Sequence, residues 1–139
     1  MSLMNIFNVS GSAASAQSQR LNVVASNLAN ADTVAGPDGK AYKARQVTFQ
    51  TQLMGAGGNS ATSAGVAVSA VTEDQSAGRR VHDPKHPSAD ADGYVTYSNV
   101  NAVEEMVNMI SASRGYQNNI EVMTTAKSLM LKTLQMGQS

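Results

Sequence analysis

In the last third of the chain, Met109, Tyr116, Met123 and Met130 stand seven residues apart, and Met106, Ser113, Ile120, Lys127 and Leu134 repeat the step beside them. An apolar series with this period gathers into one stripe only on a helix. A helix is therefore expected over 100–139, more than 30 residues and roughly 45–55 Å long at 1.5 Å per residue. Glu104 and Glu105 fall in its first turn, Lys127 and Lys132 towards its end, as the helix dipole favours. Gly115 interrupts it and Gly137 closes it. A stripe of that length needs a second surface to cover it.

The first thirty residues carry the same period. Phe7, Ala14, Leu21 and Leu28 are seven apart, with Val24 and Ala31 between. Gly11 weakens the first turns, and Asn30 is expected to close the helix in a left-handed C-cap before the breakers Gly36, Pro37 and Gly39. The two ends are thus expected to pair as an antiparallel coiled coil, with Leu21, Val24 and Leu28 facing Met106, Met109, Tyr116, Ile120, Met123, Met130 and Leu134.

Between them, residues 33–99 read as strands and turns. "AYKARQVTFQTQL" and "GVAVSAV" alternate with period two, and "RRVHD" and "GYVTY" supply two shorter candidates. The low-complexity run "MGAGGNSATSAG" marks a flexible loop over 54–65. The expected class is α+β: terminal helices 1–32 and 100–139 paired, with a small β-rich segment 33–99 between them.

One face of the first helix resists that simple reading. In "LNVVASNLANADT" the surface away from the apolar residues is Asn and Ser, with no charge before Asp32. Amides donate and accept hydrogen bonds, which suits contact with other polar surfaces more than a face turned to water. Asn22, Ser26, Asn27 and Asn30 are therefore expected to touch neighbouring subunits. The composition agrees: charged residues are 14%, against roughly 25% in an average globular protein, and Met and Ala replace aromatics.

Ten Lys plus Arg balance ten Asp plus Glu, so no field draws in nucleic acid. There is no Cys for disulfide or thiolate chemistry, and no run approaches the ~18 apolar residues of a membrane span. "MSLMNIFNVSGSAASAQSQR" has no basic n-region and no apolar core of signal-peptide length.

Candidate chemistry is thin. His82 and His86 are four apart, the spacing of a helical metal pair, but Pro84 between them and Pro87 after them favour a turn. A small metal-dependent hydrolase using this pair is the catalytic alternative. "SADADGYV" has Asp90, Asp92 and Gly93 at calcium-loop positions, yet Ser88 and Asn99 occupy the places where strong carboxylate ligands belong. An Asp-Gly turn into "YVTY" fits better. No catalytic, cofactor, metal or small-molecule site is expected.

"SQRLNVVASNLANADTVAGPDG" and "HPSADADGYVTYSNVNAVEEMVNMISASRGYQNNIEVMTTAKSLMLKTL" resemble the terminal segments of the bacterial flagellar rod and hook family. The short length fits its proximal-rod members. The resemblance implies a structural polymer subunit whose terminal helices pack in the wall of a tube, the drive shaft of the basal body. Implied partners are other copies, proximal and distal rod proteins, basal-body adaptor and ring components and the flagellar type III export apparatus. Implied too are a place in the rod within the periplasm and export without a cleaved signal peptide. A non-polymerising coiled-coil adaptor of the export apparatus is the alternative.

Overall fold

The computed structural model describes residues 2–55 and 63–138. Helix α1 (Leu3–Ala29) leads into strands β1 (Arg45–Met54), β2 (Ser63–Glu73), β3 (Arg80–His82) and β4 (Tyr94–Thr96), and helix α2 (Ala102–Gly137) closes the order. Most of the loop expected over 54–65 lies outside the described residues.

Both helices begin on a side-chain cap. Ser2 Oγ accepts the Asn5 N–H at 3.1 Å. Asn101 Oδ1 accepts from Val103 and Glu104 at 3.1 and 3.3 Å, which satisfies two of the orphan donors of the first turn. Glu104 and Glu105 then sit at the positive end of the dipole. The end of α1 differs from expectation. Asn30 lies at φ −107°, ψ 9°, not in the left-handed region. Its own Nδ2 reaches back to the Ser26 carbonyl at 2.8 Å, while Thr33 Oγ1 donates to the Asn30 carbonyl at 2.8 Å. Side chains thus supply the donors that a left-handed turn would otherwise bring.

The helices run antiparallel. Asn27 meets Glu105, Arg20 meets Asn108, Gln17 crosses Gly115 and Gly11 faces Met123, so α1 numbers fall as α2 numbers rise. Their contact is made by small residues. Ala14 and Val24 are buried on α1, and Ala112 and Ala126 are buried on α2, Ala112 completely. A methyl added at Gly115 would lie 3.2 Å from Gln17 Cδ. Small side chains at the crossing let two helix axes approach closely.

This contact uses only part of the α2 stripe that the period suggests. The inward positions are Glu105, Ala112, Asn119 and Ala126, with Asn108, Gly115, Met123 and Met130. Met109 and Tyr116 share the row of Met123 and Met130 and, with Ile120, border the seam at 37–39% exposure. Val103, Met106, Val107 and Ile110, each more than half exposed, form an apolar strip on the side of α2 away from the small-residue seam.

In the middle segment β1 and β2 form an antiparallel ribbon from Arg45↔Glu73 to Met54↔Ser63, with a register shift at Thr48/Phe49. β3 and β4 form a second, shorter hairpin, and Val34 bridges to Tyr97 beside it. The ribbon is seated on α1 by Ser12, whose Oγ accepts the Val66 N–H at 3.0 Å and donates to the Val9 carbonyl at 2.7 Å. A methyl at the neighbouring Gly65 would come within 2.7 Å of that Oγ, so only glycine allows the ribbon this close. Asn99, in the segment that leads into α2, holds the ribbon's base: its Oδ1 accepts the Ala44 N–H at 2.6 Å and its Nδ2 donates to the Asp74 carbonyl at 2.9 Å.

Candidate assembly surface

The expected site residues are a polar set on α1 that touches neighbouring subunits and an apolar seam that pairs the two helices. The structure separates their members. Asn22 is exposed, Ser26 and Asn30 are half-buried, and Asn27 is 1% exposed.

Asn27 is the polar centre of the chain's own fold, not a surface group. Its Nδ2 donates to the Arg45 carbonyl at 2.8 Å and to Glu105 Oε2 at 3.0 Å. Its Oδ1 accepts the Arg45 N–H at 2.9 Å and the Tyr42 hydroxyl at 3.0 Å. Both amide hydrogens and both oxygen lone pairs are used. Towards Arg45 the side chain behaves as a strand neighbour would, exchanging both bonds with one residue's backbone. Since Tyr42 gives its only hydroxyl proton to Asn27, Ser26 Oγ, 3.1 Å from the phenol oxygen, acts as donor there. One carboxamide thus ties α1 to β1 and to α2. The signal for this lies in spacing: Val24, Asn27 and Ala31 are three and four apart, the step of a buried row, and all three are buried.

Among the apolar set, Val24 is buried, and Leu21, Leu28, Met123 and Met130 are half-buried. The exposed members continue into a wider surface. Of the seventeen exposed large apolar side chains among the described residues, twelve lie on α2, so exposure is concentrated on one element instead of scattered singly. Val103, Met106, Val107 and Ile110 form one strip near the start of α2. Since Gly11 already faces Met123, the last turns of α2 project beyond the start of α1, and Leu134 there is 65% exposed.

The histidine turn is built from ordinary turn contacts. His82 lies edge-on to Tyr94 at 5.0 Å, and His86 Nδ1 accepts the Ser88 N–H at 3.0 Å. Asp90, considered above as a calcium ligand, is engaged in a turn: Oδ1 accepts the Asp92 and Tyr94 N–H groups at 3.0 and 2.9 Å, and Oδ2 takes the Arg80 guanidinium at 2.8 Å. The Tyr94 N–H first, then Arg80, hold its carboxyl below the usual 3.8. A depressed folded value means that its stabilisation is present above the unfolded pKa and is lost as pH falls through the folded one. Titration of the Asp90 carboxyl by NMR should give a midpoint below 3.8, with loss of the β3–β4 amide pattern following it. A midpoint at or above 3.8 would show the turn to be held by something else.

Comparison with known proteins gives this surface a context. Residues 7–37 match the family described as "Flagella basal body rod protein", and residues 91–136 match "Flagellar basal body rod FlgEFG protein C-terminal". The first match covers most of α1, the second most of α2. The chain is 57% identical over 138 residues to "Flagellar basal-body rod protein FlgC" of Salmonella typhimurium, covering 99% of this chain and 100% of that one. It is 56% identical to the protein of that name from Escherichia coli O157:H7 at the same coverage. It is 48% identical over 140 residues to that of Buchnera aphidicola subsp. Acyrthosiphon pisum, again over 99% of this chain and all of the relative. Two helices with a small-residue seam between them, and a large apolar stripe left outside, are thus the architecture of a member of the FlgC family of flagellar basal-body rod proteins.

Proposed function

We propose that the chain is a structural subunit of the flagellar basal-body rod, and that it assembles with other basal-body components through the outer stripe of α2. The observation that carries this reading is the unequal use of that helix. Inside the chain α2 uses alanine, glycine, asparagine and the half-buried Met123 and Met130, while Val103, Met106, Val107 and Ile110 are each more than half exposed. Full burial of such side chains is worth about 1.5–3 kcal/mol each. A chain that keeps this surface exposed gains that stabilisation on meeting a neighbour. The relatives' rod identity names the kind of neighbour, and a tube needs heterologous contacts that do not close on two copies.

On this reading the neighbours are further copies, proximal and distal rod proteins and adjoining adaptor and ring components, within the periplasm. The chain reaches them through the flagellar export apparatus without a cleaved leader. Exposed Asn22 belongs to the outer surface, whereas Asn27 serves the fold. Helices paired largely through small residues have little stability of their own, which suits ordering that is completed by neighbours.

The test is made on basal bodies purified from the source organism with and without the gene. Particles from the parent should contain the chain, and the deletion strain should lack a rod and fail to swim. Normal rods in the deletion strain would overturn the reading.

A further inference from the structure

The β1–β2 ribbon leaves two stretches of strand edge open, one on each strand and at opposite ends. Which backbone groups point outward follows from two helix contacts. Val66 gives its N–H to Ser12 Oγ, so it exchanges no bond with Thr51 opposite, and the Thr51 N–H and C=O point away from β2. Arg45, at the base, uses its N–H and C=O on Asn27, so Arg45 and Glu73 stand in the same relation. Alternation from these two points, through the irregularity at Thr48/Phe49, turns the backbone of Phe49, Thr51 and Leu53 outward on β1. On β2 it turns Val68 and Val71 outward. Among the described residues nothing outside the ribbon bonds to these groups. The first helix thus covers the edge of β1 at the base and the edge of β2 towards the tip, and leaves the other two stretches bare.

Strand edges that stay in water are usually blunted by charge, proline or short length. On these two strands the charged residues are Arg45 and Glu73, both at the base, and there is no proline. The second hairpin offers no comparable edge: β3 is three residues long and begins with Arg80, and the Ala35 N–H covers the Thr96 carbonyl of β4 at 2.8 Å. The exposed apolar side chains of the ribbon fall at the open stretches. Leu53 is 70% and Val71 50% exposed. Residues directly opposite share a face and successive residues alternate, so Thr51, Leu53, Val68 and Val71 all lie on one face.

We infer that β1 of one copy pairs antiparallel with β2 of the next, the open edge from Phe49 to Leu53 lying along the open edge from Val68 to Val71. Two copies in the same orientation meet in this sense, because β1 and β2 are already antiparallel within each chain. Joining unlike edges is heterologous, so the contact repeats along a polymer and does not close on two copies. The inference therefore rests on the rod reading. Filling both open stretches sets Leu53 beside Val68 and Thr51 beside Val71. Inside the chain Leu53 faces Ala64, so the next copy is offset by four residues, about 13 Å along the strand. Backbone hydrogen bonds hold such a contact, as in other strand additions. The apolar face runs on from one ribbon into the next and covers Leu53 and Val71.

The chain has no cysteine, so introduced thiols are unambiguous. Two differently tagged chains, one Thr51→Cys and one Val71→Cys, are co-expressed, and their basal bodies are treated with a short bis-maleimide. Each chain has one thiol, so an adduct carrying both tags joins two copies. That adduct is the expected product, with none when Ser88→Cys replaces Val71→Cys. Rods that contain both tags but yield no mixed adduct overturn the strand pairing and leave the rod reading standing. A comparable yield from Ser88→Cys overturns it too, whereas absence of the parent chain from basal bodies would sink the rod reading itself. If the cysteine chains do not enter rods, proline decides the matter. Thr51→Pro removes an N–H that points out of the ribbon, whereas Gln50→Pro removes one that bonds across to β2. Thr51→Pro should therefore unfold well above Gln50→Pro in a thermal scan and still fail to swim. Normal swimming of Thr51→Pro, or a midpoint as low as that of Gln50→Pro, overturns the pairing.

Discussion

Asn27→Asp should unfold the junction of the two helices while changing the side chain's shape hardly at all. The carboxylate has no hydrogens to give to the Arg45 carbonyl, which loses a donor at 2.8 Å. It also places a second negative oxygen where the amide nitrogen now lies, 3.0 Å from Glu105 Oε2. A buried group stripped of its partner costs about 1–3 kcal/mol, and breaking into a buried charged network costs about 3–5 kcal/mol. The sum is a large part of the stability of any domain this size. Thermal unfolding followed by circular dichroism should show a far lower midpoint, and swimming should fail. The double variant Asn27→Asp/Glu105→Gln should recover part of the loss, since it removes the repulsion and restores a donor. An unchanged midpoint in the single variant would remove Asn27 from the centre of the fold. No recovery in the double would show that Glu105 is not the partner that matters.

This residue also marks where sequence reasoning stopped. The helices, their antiparallel pairing and the strands were legible because each rests on a period that survives in the bare sequence. Two alternating runs and two shorter candidates became β1 to β4, although as two separate hairpins and not one sheet. The register of the helix pair was not legible. In most helices apolar volume marks the core, which favours the large residues for the inner seam. Here Ala112, Gly115 and Ala126 fill much of that place beside Met123 and Met130, and Val103, Met106, Val107 and Ile110 lie on the far side. A helix with two stripes gives no internal sign of which stripe its own chain uses. Likewise, the Asn and Ser residues of α1 looked like one face. Only the position of Tyr42 and Arg45, brought in by a turn some fifteen residues away, sorts Asn27 into the interior and leaves Asn22 outside.

Substitutions on the two stripes of α2 should therefore have opposite signatures. On the outer strip, Val107→Asp and Ile110→Asp introduce charges where the side chains are more than half exposed, so the isolated chain should lose no more than about 0.5 kcal/mol. In the assembled rod those positions would be covered, and each carboxylate would be buried without a partner, at a cost of several kcal/mol. The expected result is a variant that is as stable as the parent by thermal unfolding, absent from purified basal bodies and non-motile. On the inner seam, Ala112→Leu adds three carbons at a fully buried crossing, and overpacking of this kind costs about 1–3 kcal/mol. That variant should lose stability as an isolated chain before any question of assembly arises. If Val107→Asp and Ile110→Asp assemble and swim normally, the outer strip is not covered and the proposed interface is wrong. If they destabilise the isolated chain as Ala112→Leu does, the stripe is being used inside the chain after all. The comparison separates folding from assembly because the two demands fall on different sides of one helix.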